Sequence, residues 1–493
     1  MPRTSEPARA GTDAPAPVPP SASRFTPRSA GGAKPVSPSW PWVPSRVSSW
    51  FQGWLRAWGK RGWWSPLVEV VLLALGVVAA RSLINLTIYG AGVINHDVRE
   101  YQIYATQFWT VAPLFHHLPV EYPPLSILPF TLTLLPSLAD PTIMFTVWMG
   151  VLFIAGYFWM ARYAGRRRAA VYAVYLLVGA ASTVFGRYDL VPALVTLLAL
   201  HAAARHRFTW AHVLLALGIL LKLYPAFLVP LVAIEQWRTL ARAPQTSEPA
   251  WAADGRSPNA PTTARLARWL GALDRAALWA VARGVGLCVL VVDLGFANAA
   301  LLSPRGALSG FSYAGARPLQ IESTPASLLW VGSWFGFPAH AVYTFQSLNL
   351  VGPLDRWLAP LSALALAGGC LFVYWRQLRG RLDVGHAFVA CLCVVLVTNK
   401  IFSPQYLIWV LPLVAYVVGF DALWLLVCLL TTAIYPFLYF AHPHILLVAR
   451  DVRFLPLITL RNALLLVVTV RALSSRAPGV RRWPLARGLG RLR

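Results

Sequence analysis

The sequence predicts an all-α, polytopic transmembrane helical bundle, and three observations carry that prediction. Of 493 residues, 57% are hydrophobic and only 12% charged, which leaves too little polar surface to clothe a soluble core of this size. Apolar runs of roughly 18–20 residues recur along the chain, each long enough to cross a hydrocarbon layer of about 30 Å as a helix. Arginines dominate a formal net charge of +25, and they crowd the two ends and a few loops between those runs, the pattern of positive-inside topology. Period-two alternation is absent, which argues against a β-barrel. The same distribution makes anionic membrane lipids, and not nucleic acid, the partner of the basic loops.

Each element follows in order. Residues 1–45, rich in Pro, Ala, Ser and Arg, are expected to be a disordered cytoplasmic tail. Residues 46–65, with Trp54, Trp58, Lys60 and Arg61, read as an interfacial juxtamembrane segment. A transmembrane domain then occupies 66–472. Its first span, 66–89, follows basic residues and so starts inside, which places the loop 90–123 outside. The apolar stretch 124–138 is short and interrupted by Pro129 and Pro136, so a re-entrant or interfacial helix fits better than a span.

Spans at 142–161, 169–185 and 189–204 connect the cytoplasmic clusters around Arg166 and Arg205 with an outer turn, Gly186-Arg187-Tyr188-Asp189. The run 209–237 carries Lys222 and Pro225 at its centre. Two short helices meeting there keep the basic loop 238–275, with its flexible linker 243–264, inside. Further spans at 277–301, 357–375, 385–400, 406–420, 422–440 and 456–472 lead to a basic cytoplasmic tail, 473–493. Between them, 303–325 is an outer loop and the aromatic stretch to about 354 is expected at the outer interface. The map has about twelve crossings, both termini cytoplasmic, and a large first outer loop carrying interfacial helices.

This topology rests on arginine-rich loops, yet it also gathers polar residues that do not set it. Asp97, Glu100, Arg187, Asp189, Lys222, Arg317, Glu322, Lys400, Gln405, Arg450 and Asp451 all fall near the non-cytoplasmic face. Two of only four lysines, Lys222 and Lys400, lie within or at the end of apolar runs. An ionisable group there costs about 2.5–3.5 kcal/mol on insertion scales and marks a functional cavity unless it snorkels to an interface.

In Asn95-His96-Asp97-Val98-Arg99-Glu100-Tyr101, an acid just beyond the first span is either merely solvated or placed to accept a proton from an attacking hydroxyl. Glu121-Tyr122-Pro123-Pro124-Leu125 gives a rigid entry into the membrane or simply starts a helix. Arg187 and Asp189 read either as site residues or as a structural pair within their turn. In Arg317-Pro318-Leu319-Gln320-Ile321-Glu322-Ser323, the guanidinium could fork onto a phosphate with Glu322 orienting it, or form a surface ion pair. No nucleotide loop, metal set or other cofactor signature is visible.

Taken together, these motifs resemble a known group. The Asp-bearing first loop, Tyr122-Pro123-Pro124, Gly186-Arg187-Tyr188-Asp189, Lys222-Leu223-Tyr224-Pro225 and Asn399-Lys400-Ile401-Phe402-Ser403-Pro404-Gln405-Tyr406 are similar, in order and sidedness, to GT-C glycosyltransferases. Glycosyltransferase family 87, which includes polyprenyl-phosphate-mannose-dependent α-mannosyltransferases, is the group they most resemble. The resemblance implies a polyprenyl-phosphate-linked sugar donor and a lipid or glycan acceptor, with inversion at the transferred carbon. By position Asp97 would be the general base, and Lys222, Arg317 and Lys400 would hold the donor phosphate. Glu100, Tyr122, Arg187, Asp189, Tyr224, Gln320, Glu322, Gln405 and Tyr406 would bind or support substrate. His96-Asp97-Val98 stands where an acidic pair is expected, so Asp97 would act alone or with Glu100. A transporter or flippase of a lipid-linked or anionic solute is the alternative, because broken helices and intramembrane lysines suit both. A non-catalytic subunit of an envelope-assembly complex is a third reading.

Overall fold

The computed structural model describes residues 66–87, 96–119, 121–135, 140–241, 275–439 and 454–475. The expected tail 1–45, the juxtamembrane segment 46–65, the linker 243–264, residues 476–493 of the expected C-terminal tail, and Asn95, Arg450 and Asp451 lie outside the described residues.

Helices dominate, and their ends are written in the sequence. Asp140 caps Pro141–Ala164 by accepting from the Thr142 amide at 2.8 Å, and Gly165, at φ 93°, ends it. Asp383 caps Val384–Thr398 through the His386 amide at 3.0 Å, and Asp421 caps Ala422–Thr432 through Leu423 at 2.9 Å. Among the described residues, four helices are long and apolar enough to cross a membrane: Pro141–Ala164, Arg275–Leu302, Asp355–Leu378 and Phe454–Ser474. Shorter apolar helices accompany them, among them Leu190–Ala204, Phe208–Leu221 and Pro404–Val417.

The packing departs from that of a water-soluble bundle at its surface, not at its centre. Every residue of Leu407–Val417 is buried, and so is almost all of Val384–Thr398. These two helices, apolar all round, form the centre, as helices without a polar face must. Arg275–Leu302 and Asp355–Leu378 instead present large apolar side chains outward, with Trp279 at 70% and Leu301 at 82% exposure. Surface of that kind is stable against hydrocarbon and costly against water.

Three features position the site. The run through Lys222 is broken: Phe208–Leu221 stops at Lys222, whose backbone is extended (φ −159°, ψ 137°). A single 3-10 turn, Tyr224–Leu228, with Pro225 in its first turn, leads into Val229–Ala241. Residues Pro124–Leu134 form only short helical pieces, about 16 Å at helical rise and too short to span. Finally, Ala422–Thr432 runs into a π-helical segment, Ala433–Leu438, in which Tyr435 has extended backbone angles (φ −123°, ψ 119°).

The all-α expectation needs one correction. Strands β1 (Leu319–Gln320), β2 (His340–Thr344) and β3 (Ser347–Val351) form an antiparallel sheet in the order β1-β3-β2. Asn349 of β3 sits opposite both Gln320 and Val342. The β2–β3 hairpin turns through Phe345 and Gln346, both left-handed at φ 53° and 52°. That is the geometry of the two-residue hairpin turn that matches strand twist, normally signalled by Asn-Gly. Here the signal residues are missing, so the hairpin reads as an aromatic loop.

Candidate active site

Two of these irregular elements, the π-helical segment and the β2–β3 hairpin, border a cavity of ≈ 340 Å³, within the ~300–1,000 Å³ range of small-molecule sites. Of the residues singled out from sequence, Asp97, Tyr122, Arg187, Arg317, Gln320, Glu322, Gln405 and Tyr406 line it. Glu100, Asp189, Lys222, Tyr224 and Lys400 do not.

Asp97 occupies the first turn of His96–Thr110, where the helix dipole favours a carboxylate. It is ion-paired with Arg187, and both side chains are 19% exposed. Tyr435, at the π-helical kink, hydrogen-bonds the same guanidinium. Glu100 lies on the same helix, 3.9 Å from His96.

Arg187 and Asp189 do not pair within their turn. Asp189 Oδ1 accepts from Lys222 Nζ at 2.7 Å and from Trp409 Nε1 at 2.6 Å. The ammonium lies over the rings of Tyr188, Trp409 and Tyr122 at 4.7, 5.5 and 5.6 Å. Trp409 is stacked between Tyr406 at 3.9 Å and Tyr224 at 4.5 Å, and Tyr224 shares a 2.9 Å hydrogen bond with Thr196. Lys222, whose side chain is 14% exposed, thus lies against the ring of Tyr122, which forms part of the cavity wall.

Elsewhere on the wall, Arg317 follows helix Pro304–Ala316 and donates to Ser347 Oγ at 2.8 Å, over the Tyr313 ring. Its Nε, like the Oε1 of Gln320, is buried with no hydrogen-bond partner among the described residues. Such atoms cost about 1–3 kcal/mol each when left unsatisfied, which points to a ligand partner. Lys400 is used differently. Its Nζ donates at 2.8 Å to the carbonyls of both Gly315 and Arg317, capping that helix end.

Glu322 does not orient Arg317. It pairs with Arg461 at 3.1 Å, while Arg461 Nη2 and Asn462 Nδ2 both donate to the Glu322 carbonyl. Arg461 is fully buried, and its guanidinium carbon lies 4.2 Å from the centre of the Phe402 ring. Sequence reasoning missed Arg461, although an arginine inside an apolar run is the same signal that singled out Lys222.

Glu121 was missed as well. It lines the cavity beside Tyr122, and burial pushes its carboxyl above the ordinary glutamate range, offset in part by a hydrogen bond with Tyr313 and by the charge of Arg317. Burial likewise pushes the Tyr313 phenol up to about 12. A further part of the wall comes from the unexpected sheet: Tyr343, Phe345, Gln346, Ser347 and Leu348 all line the cavity.

The site thus sets three carboxyl groups (Asp97, Glu121 and Glu322), two guanidiniums and several hydroxyl and amide groups around one void. Such an arrangement can accept a proton, neutralise a phosphate and hold a polyhydroxyl ring. Comparison with curated proteins and with solved structures gave no match. Residues 121–253, which include Tyr122, Arg187, Asp189, Lys222 and Tyr224, match the family model of glycosyltransferase family 87. Over that segment the chain is therefore similar to glycosyltransferase family 87, which implies a membrane glycosyltransferase.

Proposed function

We propose that the protein transfers a sugar, mannose or another hexose, from a polyprenyl-phosphate-linked donor to an envelope lipid or glycan acceptor on the non-cytoplasmic face. The observation that carries this reading is the single cavity lined by both Asp97 and Arg317, a proton acceptor and a phosphate fork. Asp97, oriented by Arg187, takes the proton of an acceptor hydroxyl. The hydroxyl oxygen attacks the anomeric carbon, and the bond from that carbon to the phosphate oxygen breaks with inversion. The departing polyprenyl phosphate keeps the electron pair, and Arg317, whose Nε has no partner among the described residues, meets the growing charge. Lys222 and Lys400 serve the same phosphate at one remove: Lys222 holds the Tyr122–Tyr406 wall, and Lys400 fixes the turn that presents Arg317.

The test uses full-length protein in proteoliposomes with polyprenyl-phosphate hexoses labelled in the sugar, together with candidate envelope lipids and oligosaccharides. Label should pass from the donor to an acceptor, with a stereochemically inverted linkage. Movement of the intact lipid-linked sugar across sealed vesicles without any transfer would replace this reading with a transporter.

A further inference from the structure

Glu121 lines the cavity, and its carboxyl hydrogen-bonds the Tyr313 hydroxyl. That hydroxyl also lies 3.1 Å from the carbonyl oxygen of Phe345. The phenol has a single proton to share between these two oxygens, and it sets the carboxyl beside the tip of the β2–β3 hairpin. That tip is held in a conformation its residues do not favour: Phe345 and Gln346 are both left-handed, and neither is glycine. The surrounding structure enforces it. Asn349 Nδ2 donates to the Thr344 carbonyl at 2.9 Å, to Thr344 Oγ1 at 3.0 Å and to the Ser347 carbonyl at 3.1 Å.

The enforced turn sets two aromatic side chains and an amide on the cavity wall: Tyr343, 52% exposed, Phe345, 36% exposed, and Gln346. Strand β1 of the same sheet adds Gln320, only 6% exposed, whose Oε1 lacks a partner among the described residues. A carboxylate and an orphan amide oxygen both accept hydrogen bonds and so call for hydroxyl donors. Aromatic faces beside them suit the C–H face of a ring. A phosphate needs neither, and a bare lipid alcohol offers one donor only.

We propose that Glu121, Tyr313, Gln320 and the Tyr343–Gln346 hairpin tip form an acceptor subsite that takes the terminal sugar ring of a glycan. The proposal rests on the reading that sugar transfer takes place in this cavity, and it assigns the acceptor side of it. Glu121 binds two neighbouring hydroxyls of that ring and thereby presents a third to Asp97. It is a binding and positioning group and takes no proton in the transfer step.

Binding of unlabelled disaccharides (α-mannobiose, cellobiose and maltose) to the full-length protein in lipid nanodiscs, followed by saturation-transfer NMR, tests this without turnover. Two variants are compared with the wild type. Glu121→Gln keeps the shape and removes the charge. Gln346→Gly removes the amide and places at φ 52° the residue that tolerates it best. Polyprenyl-phosphate binding is measured alongside to verify that each variant is folded. At least one disaccharide should bind the wild type, and its affinity should drop roughly tenfold in each variant, the loss expected for one hydrogen bond to a charged or buried group. No binding of any disaccharide to the wild type, or binding unchanged in both variants, overturns the subsite. Disaccharide binding that depends on Glu121 in a protein that transfers no sugar would instead overturn the transferase reading and leave the subsite standing.

Discussion

Arg187 and Asp189 stand two positions apart on one turn, yet they serve two different regions of the molecule. Arg187 faces the cavity and pairs with Asp97, each still partly open. Asp189 turns the other way, fully buried, and receives Lys222 and Trp409 in a chamber walled by aromatic rings. A ligand entering the cavity can compete for Arg187 and Asp97. The Lys222–Asp189 pair lines no part of that cavity, and aromatic rings surround its ammonium. Charge inside an apolar protein therefore does two separate jobs, chemistry at the void and fastening behind it. The Arg461–Glu322 pair belongs to the second kind in part, because its guanidinium is sealed while Glu322 reaches the cavity wall.

If fastening is the role of the sealed charges, removing one partner should cost stability first. Arg461→Met strands Glu322 in a buried site, and a loss of about 3–5 kcal/mol is expected, read as a collapse in the melting temperature of the nanodisc-embedded protein. The double variant Arg461→Met/Glu322→Met should recover most of it, and failure to recover would show that the pair does more than neutralise itself. Lys222→Met should cost about 3 kcal/mol, somewhat less because Trp409 continues to donate to Asp189. Lys400→Met removes a cation from the end of Pro304–Ala316 and should cost only about 0.3–1 kcal/mol, with a matching small loss of polyprenyl-phosphate affinity as the Arg317 turn loosens.

The smallest effect is a pH dependence. The folded chain holds the Glu121 proton to higher pH than an unfolded chain does, because burial raises its carboxyl above the ordinary 4.5. Its contribution to stability is thus complete below that value and is lost as pH rises through the raised one. Melting temperatures followed upward from pH 4.5 should fall less steeply in Glu121→Gln than in the wild type.

The sequence exposed the helices and half of the site, for reasons that the residues make plain. Apolar length and Asp caps announce helices locally, and Lys222 beside Pro225 announces a break because both offend a helix in hydrocarbon. Asp97, Arg187, Arg317, Gln405 and Tyr406 were visible because polar residues are rare in this chain. What stayed hidden depends on distant partners. Nothing near Lys400 says that its ammonium will meet carbonyls at positions 315 and 317, or that Glu322 will choose Arg461, 139 residues away, over Arg317. The hairpin was invisible for the opposite reason, since its turn uses Phe345-Gln346 in place of residues that tolerate a left-handed backbone.

The division between chemistry and fastening is tested most directly by sugar transfer from labelled polyprenyl-phosphate hexose in Asp97→Asn and Lys222→Met, assayed at a temperature where both variants are folded. Asp97→Asn should lose at least about a hundredfold in kcat, the lower range for removing a general base, when compared at a temperature where it stays folded. Lys222→Met should retain most of its turnover despite its lower melting temperature. Turnover undiminished in Asp97→Asn, or abolished in fully folded Lys222→Met, would contradict the account.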